Sequence, residues 1–93
     1  EKSIVLNLDY EQCLFKLKDY KFDYIFADPP YAFNEYENIF NKVNEYNLLN
    51  EEGIIIVEVN SNTILDDKYE KIEKYKEKKY GISKLIYFRK KED

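Results

Sequence analysis

Phe22-Asp23-Tyr24-Ile25-Phe26-Ala27-Asp28-Pro29-Pro30-Tyr31 is the stretch on which the reading of this 93-residue chain turns. Its first six residues are mostly aromatic, β-branched or small, which predicts a buried strand over 22–27 running straight into Asp28. Pro29 and Pro30 supply no N–H groups, and each holds the residue before it extended. The segment is therefore stiff, and its Asp28 carboxylate and Pro29 carbonyl form two acceptors converging on one place. An amino group has two N–H donors, and such an edge can hold both. An exocyclic nitrogen on an aromatic base is a poor nucleophile because its lone pair is delocalised into the ring. Accepting its hydrogen bonds favours the more tetrahedral, more negative nitrogen needed for attack on a methyl sulfonium. Catalysis at such an edge is positioning and electrostatics, with no covalent intermediate. Tyr31 adds an aromatic face, and stacking on a base is worth roughly 1–3 kcal/mol. A base reaches this edge only when flipped from a duplex or presented on a single strand.

Elsewhere in a chain the same four residues would read as a proline turn, with Asp28 capping a helix and Tyr31 packed in a core. The surrounding elements decide against that. Residues 3–8 form a short apolar run ending at Asp9, read as a strand. Cys13, Leu14 and Leu17 recur at helical spacing over 10–17. Tyr36, Ile39, Phe40, Val43 and Tyr46 fall on one stripe, which predicts a helix over 34–49 with Asn34 as its N-cap and Glu35 and Glu37 near the dipole's positive end. Asn50-Glu51-Glu52-Gly53 is read as a turn. Residues 54–59 are nearly continuous apolar, as in a strand covered on both faces. Residues 61–67 read as a loop. Over 68–78 the spacing of Tyr69, Ile72 and Tyr75 fits a helix, but a strand leading into a turn at Gly81 fits equally, and 82–88 reads as a final strand.

Strand, helix, strand, helix, strand is the signature of a parallel sheet covered by helices. Ligands bind such sheets outside the carboxyl ends of the strands. Asp9 and Asp28 each close a predicted strand, so both are expected on the same edge facing one crevice.

Composition sets the bounds. Hydrophobic residues at 44% are compatible with a packed core, and the 37% charged fraction suits a solvated surface. The longest apolar run, Gly53 to Val57, falls far short of the ~18 residues that cross a bilayer, so no membrane association is expected. Cys13 is the only cysteine, which excludes a disulfide within the chain and favours a cytoplasmic setting. It reads as a core filler on its helical stripe. There is no His, so the commonest general base and the commonest metal ligand are both missing, and no metal is expected. Residues 1–67 hold 5 basic and 14 acidic side chains, whereas residues 68–91 hold 10 basic and 3 acidic. That split matches a basic face for a polyanion on an acidic body, or equally a solvated lysine surface.

The 22–31 stretch resembles the fourth motif of class I amino-methyltransferases, and the chain as a whole is most similar to the RsmD-like family. Val5 to Leu17 resembles that family's third strand and following helix. Leu48 to Val59 resembles its leucine pair, glycine turn and fifth strand, with Glu58 in place of the family's Glu. Lys79 to Leu85 resembles its tyrosine-glycine turn, which favours a strand before Gly81. The resemblance implies an α/β fold, a partial Rossmann-like class I methyltransferase sheet from the third strand onward, ending in an antiparallel hairpin. It implies S-adenosylmethionine as cofactor, contacted by Asp9 and Asp28, with Asp28, Pro29, Pro30 and Tyr31 catalytic. It also implies guanine N2 in small-subunit ribosomal RNA as target, with that RNA or an assembly intermediate of the subunit as partner. A DNA adenine-N6 methyltransferase and a non-enzymatic nucleic-acid-binding module are the alternatives.

The Gly-rich loop and second strand that open the family's domain have no match, since the only glycines are Gly53 and Gly81. Residues 1–93 thus read as the C-terminal part of a single domain. In the family's sheet the first strand lies between the second and the fourth. The strand at 4–8 is therefore expected to lose its neighbour, leaving the 22–27 strand with an unpaired edge through which the fragment self-associates. Weak or no binding of S-adenosylmethionine by the fragment alone is expected with it.

Overall fold

The computed structural model describes residues 3–6, 20–27 and 36–91. Six strands form one sheet: β1 (Ser3–Leu6), β2 (Phe22–Ala27), β3 (Leu49–Asn60), β4 (Lys68–Tyr69), β5 (Ile72–Tyr80) and β6 (Ser83–Lys90). Their spatial order is β1-β2-β3-β6-β5-β4. The first three are parallel to one another, and the rest are antiparallel to their neighbours. One helix, α1 (Tyr36–Glu45), lies between β2 and β3 in the chain. The α/β class and the terminal hairpin are as expected.

β1 pairs directly with β2, Ser3 facing Tyr24 and Leu6 facing Ala27. This corrects the expectation that β2 would have a bare edge. A buried strand's unpaired N–H and C=O groups are costly, and the nearest extended apolar segment satisfies them. The sheet's outer strand on this side is accordingly β1, where Val5 is 63% exposed.

The helix buries the predicted stripe of Tyr36, Ile39, Phe40 and Val43. It stops at Glu45 rather than at residue 49. The Leu48 N–H donates to the Val43 carbonyl at 3.1 Å and the Asn47 N–H to that of Asn44 at 3.2 Å, with Asn47 at φ 55°. These are the paired bonds of a Schellman ending, in which Asn takes the left-handed position and Leu48 and Val43 form its apolar contact. Residues 34 and 35, with the Asn34 cap, lie outside the described residues.

Asn50 to Gly53 do not turn the chain. They continue β3, which runs unbroken from Leu49 to Asn60. Phe22 faces Leu49 and Tyr24 faces Ile54, so β3 bulges here, and the Asn50 side-chain amide donates to Asp23 Oδ1 across it at 2.7 Å. Gly53 is required for space, since a Cβ there would lie 2.9 Å from the Phe22 carbonyl oxygen and 2.6 Å from Leu49 Cδ1. The glycine signals a close backbone approach, as it often does inside a strand. At the other end of the sheet Gly81, at φ +58°, takes the first central position of the two-residue turn joining β5 to β6. There the glycine does make a turn.

Ile25 and Ala27 of β2, Ile55 and Val57 of β3, and Ile86 and Phe88 of β6 are all buried, and they form one core with the helix stripe. Phe40 anchors it, its ring centroid 4.4 Å from Tyr69 and 4.6 Å from Phe88. The opposite sheet face carries Ile54 and Ile56 half-buried and Glu58 exposed. The strand expected to be covered on both faces is therefore closed on one face and open in part on the other.

Lys84 is 5% exposed on the core side of β6, and its charge is met by Glu77 at 3.3 Å. Glu77 also binds Lys74 at 2.9 Å, and Lys74 binds Asp67 at 2.9 Å. The hydrogen bond from Lys74, helped by that from Lys84, holds the Glu77 carboxyl below the ordinary carboxylate value of 4.5 despite some burial. A lowered folded-state pKa stabilises the fold above the unfolded value, and that contribution disappears as pH falls through the folded value. Glu77→Gln is therefore expected to cost about 1–2 kcal/mol at pH 7, discounted because the carboxylate is partly solvated. Denaturant titrations of parent and variant should converge as pH drops below 4.5. A pH-independent difference would show that charge pairing is not the cause.

Candidate functional site

The site is framed by the carboxyl ends of the parallel strands. β2 ends at Ala27, which is buried, and the next residue is Asp28. Ala27 faces Leu6 on one side and Val57 on the other. The carboxyl ends of β1 and β2 are thus level, about one strand spacing of ~4.8 Å apart. β1 and β2 end at this one edge, in the chain direction of Asp9 and Asp28. Asp9, Asp28, Pro29, Pro30 and Tyr31 themselves lie outside the described residues, as does Cys13.

Two further groups are at the same edge. Glu58, one residue beyond Val57, is exposed and faces Leu85 across the β3–β6 ladder, on the sheet face away from α1. The β5–β6 turn also projects here, since Ser83 pairs with Asn60 and the Ser61 N–H donates to the Ile82 carbonyl at 2.8 Å. Tyr36, at the start of α1, is buried in the core.

A cleft of about 340 Å³ is lined by residues that include Val43, Asn47, Leu49, Lys71 and Lys90. It opens at the amino-terminal end of β3, the wrong end of the sheet for a ligand of this architecture. Among the described residues no group of three or more His, Cys, Asp or Glu could hold a metal ion. Nor is any helix among them long and apolar enough to cross a membrane.

A mixed sheet of parallel strands continued by an antiparallel hairpin, with a helix packed on it, defines the class as the partial Rossmann-like fold of methyltransferases. The family model described as conserved hypothetical protein 95 matches residues 2–89, and the chain belongs to this RsmD-like family. It is similar to the structure of a conserved hypothetical protein of Streptococcus pyogenes, at 30% identity and TM-score 0.80, over 89% of this chain and 51% of that one. It is also similar to a Haemophilus influenzae protein bearing the name methylase, at 31% identity and TM-score 0.66, over 85% of this chain and 51% of that one. An Escherichia coli protein bearing the name methyltransferase shares the fold at 19% identity and TM-score 0.70, over 90% of this chain and 47% of that one. The chain therefore spans about half the length of these structures. No curated protein matches it.

Proposed function

We propose that this chain is the base-holding half of an S-adenosylmethionine-dependent methyltransferase acting on the exocyclic amino group of a nucleic-acid base, guanine N2 in small-subunit ribosomal RNA. The observation that carries the reading is the position of Asp28-Pro29-Pro30-Tyr31, directly after a buried parallel strand at the edge where the sheet's ligands bind. The Asp28 carboxylate and Pro29 carbonyl accept the two N–H bonds of the target amino group, and Tyr31 stacks on the ring that bears it. Asp9, on the neighbouring strand's exit, accepts from the cofactor's adenine amino group. When bound, S-adenosylmethionine supplies an electrophilic methyl group.

The Asp28-Pro29-Pro30-Tyr31 sequence suits a planar amino-bearing base, but among the described residues none suits the cofactor's methionine end. That end needs backbone N–H groups in close approach, and Gly53 and Gly81 are both committed elsewhere, to the β3 bulge and the β5–β6 turn. The methyl-transfer activity accordingly belongs to the protein that joins this chain to a Gly-rich half. Cytoplasmic localisation follows if ribosomal RNA is the substrate.

The test is the product. The longer protein is incubated with labelled S-adenosylmethionine and either ribosomal RNA or DNA, and the nucleosides are separated by mass. N2-methylguanosine is expected. N6-methyladenine from DNA would move the assignment to the adenine enzymes, and no methylated nucleoside from either would sink the methyltransferase reading.

A further inference from the structure

The cations of the β5–β6 hairpin differ in their partners. Lys74 and Lys84 are tied to Glu77, and Arg89 faces Glu73 at 3.5 Å. Among the described residues no carboxylate pairs with Lys76 or Lys78. These lie against aromatic rings instead, Lys76 Nζ 5.0 Å from the centroid of Tyr87 and Lys78 Nζ 5.6 Å from that of Tyr80. Arg89 sits 4.9 Å over Tyr75, which meets Tyr87 edge-on at 6.2 Å.

The register places these groups together. Ile86 and Phe88 are buried toward α1, so the alternate residues of β6 face the other way. Lys76 pairs with Tyr87, Lys78 with Leu85 and Tyr80 with Ser83. One sheet face thus presents a row of tyrosine rings, each with a cation against it, running toward the turn. A simpler account makes these lysines protection for an outer strand. Edge protection needs charge alone. It does not explain why the charges lie on rings, nor why Tyr80 is 52% and Ile82 77% exposed at the tip.

The row also ends in the right place. The turn stands at the same end of the sheet as the exit of β2, and the two strands it joins, β6 and β5, lie two and three strand spacings from β2, or about 10–14 Å. Aromatic faces alternating with cations are what an extended single strand of nucleic acid requires, rings for bases and ammonium groups for phosphates.

We propose that this hairpin face binds the single-stranded RNA flanking the target base, with Tyr80 and Tyr87 stacking bases and Lys76 and Lys78 meeting phosphates. The inference rests on the proposed function for the choice of RNA. Anisotropy of a labelled twelve-residue oligouridylate, titrated with the 93-residue chain at two salt concentrations, tests it. Tyr80→Ala should weaken binding about five- to a hundredfold. Lys78→Ala should reduce the slope of log affinity against log salt by about 0.7. Lys42→Ala, on α1, should change neither.

Unaltered affinity in Tyr80→Ala, tighter binding of a duplex or of oligothymidylate, or a dimer that Tyr80→Ala dissolves would each overturn the proposal. If the chain ignores the oligonucleotide while the longer protein methylates RNA, the hairpin assignment falls alone. If the chain binds as described and no base is methylated, the enzymatic reading falls and the hairpin assignment stands.

Discussion

Asp28→Ala, made in the protein that carries both halves of the domain, should lower the turnover of methyl transfer by at least a hundredfold while RNA binding survives within a few-fold. In the proposed function the carboxylate acts where charge changes most, at an amino nitrogen becoming tetrahedral and then shedding a proton. Removing one preorganised partner of that kind costs about 10²–10³ in rate at comparable sites. In the proposed function affinity is assigned to stacking and phosphate contacts rather than to the Asp28 carboxylate. Asp28→Asn separates charge from geometry, since the amide oxygen can still accept but has no negative charge. It should recover only a small part of the loss. Single-turnover rates with saturating RNA measure the chemical step directly. Near-parental turnover of Asp28→Ala would reduce the proline motif to a structural turn and favour the binding-module alternative.

The largest effect on stability is expected at Phe40. Its side chain is fully buried, and its ring meets both Tyr69 and Phe88. It thereby joins α1 to the antiparallel half of the sheet, where the Asn44 side-chain amide also donates to the Tyr69 carbonyl at 3.3 Å. Burial raises the pKa of the Tyr69 phenol, so that ring stays neutral and apolar at physiological pH. Phe40→Ala should cost about 3–5 kcal/mol through lost transfer energy and the cavity left behind. A domain of this size has a total stability of about 5–14 kcal/mol. The variant should therefore melt at least ~12 °C below the parent, at about 4–8 °C per kcal/mol. Thermal unfolding followed by circular dichroism checks this. Phe40→Leu should cost less than half as much, and Ile64→Ala, at a residue 89% exposed, should lie within about 0.5 kcal/mol of the parent. A loss under 1 kcal/mol for Phe40→Ala would mean that the three-ring contact does not hold the helix.

Much of this was legible in the chain itself. The 22–27 strand and the helical stripe from Tyr36 to Val43 follow from side-chain periodicity, which is local, whereas the strand before Gly81 is favoured over a helix only by the family resemblance. One misread feature depended on a partner distant in sequence. Gly53 read as a turn because its need for glycine comes from the Phe22 carbonyl, which no local pattern reveals. The helix read four residues too long because Leu48 and Leu49 continue the apolar stripe, while the left-handed Asn47 ends it.

Tertiary structure alone settled two matters. It paired β1 with β2, since the backbone groups of a buried strand take the nearest extended partner available, and sequence pattern does not say which strands are neighbours. It also sorted the lysines of 68–91, tying some to Glu77 and laying others on tyrosine rings. A charge count could not separate those roles, because strand register decides which side chains share a face.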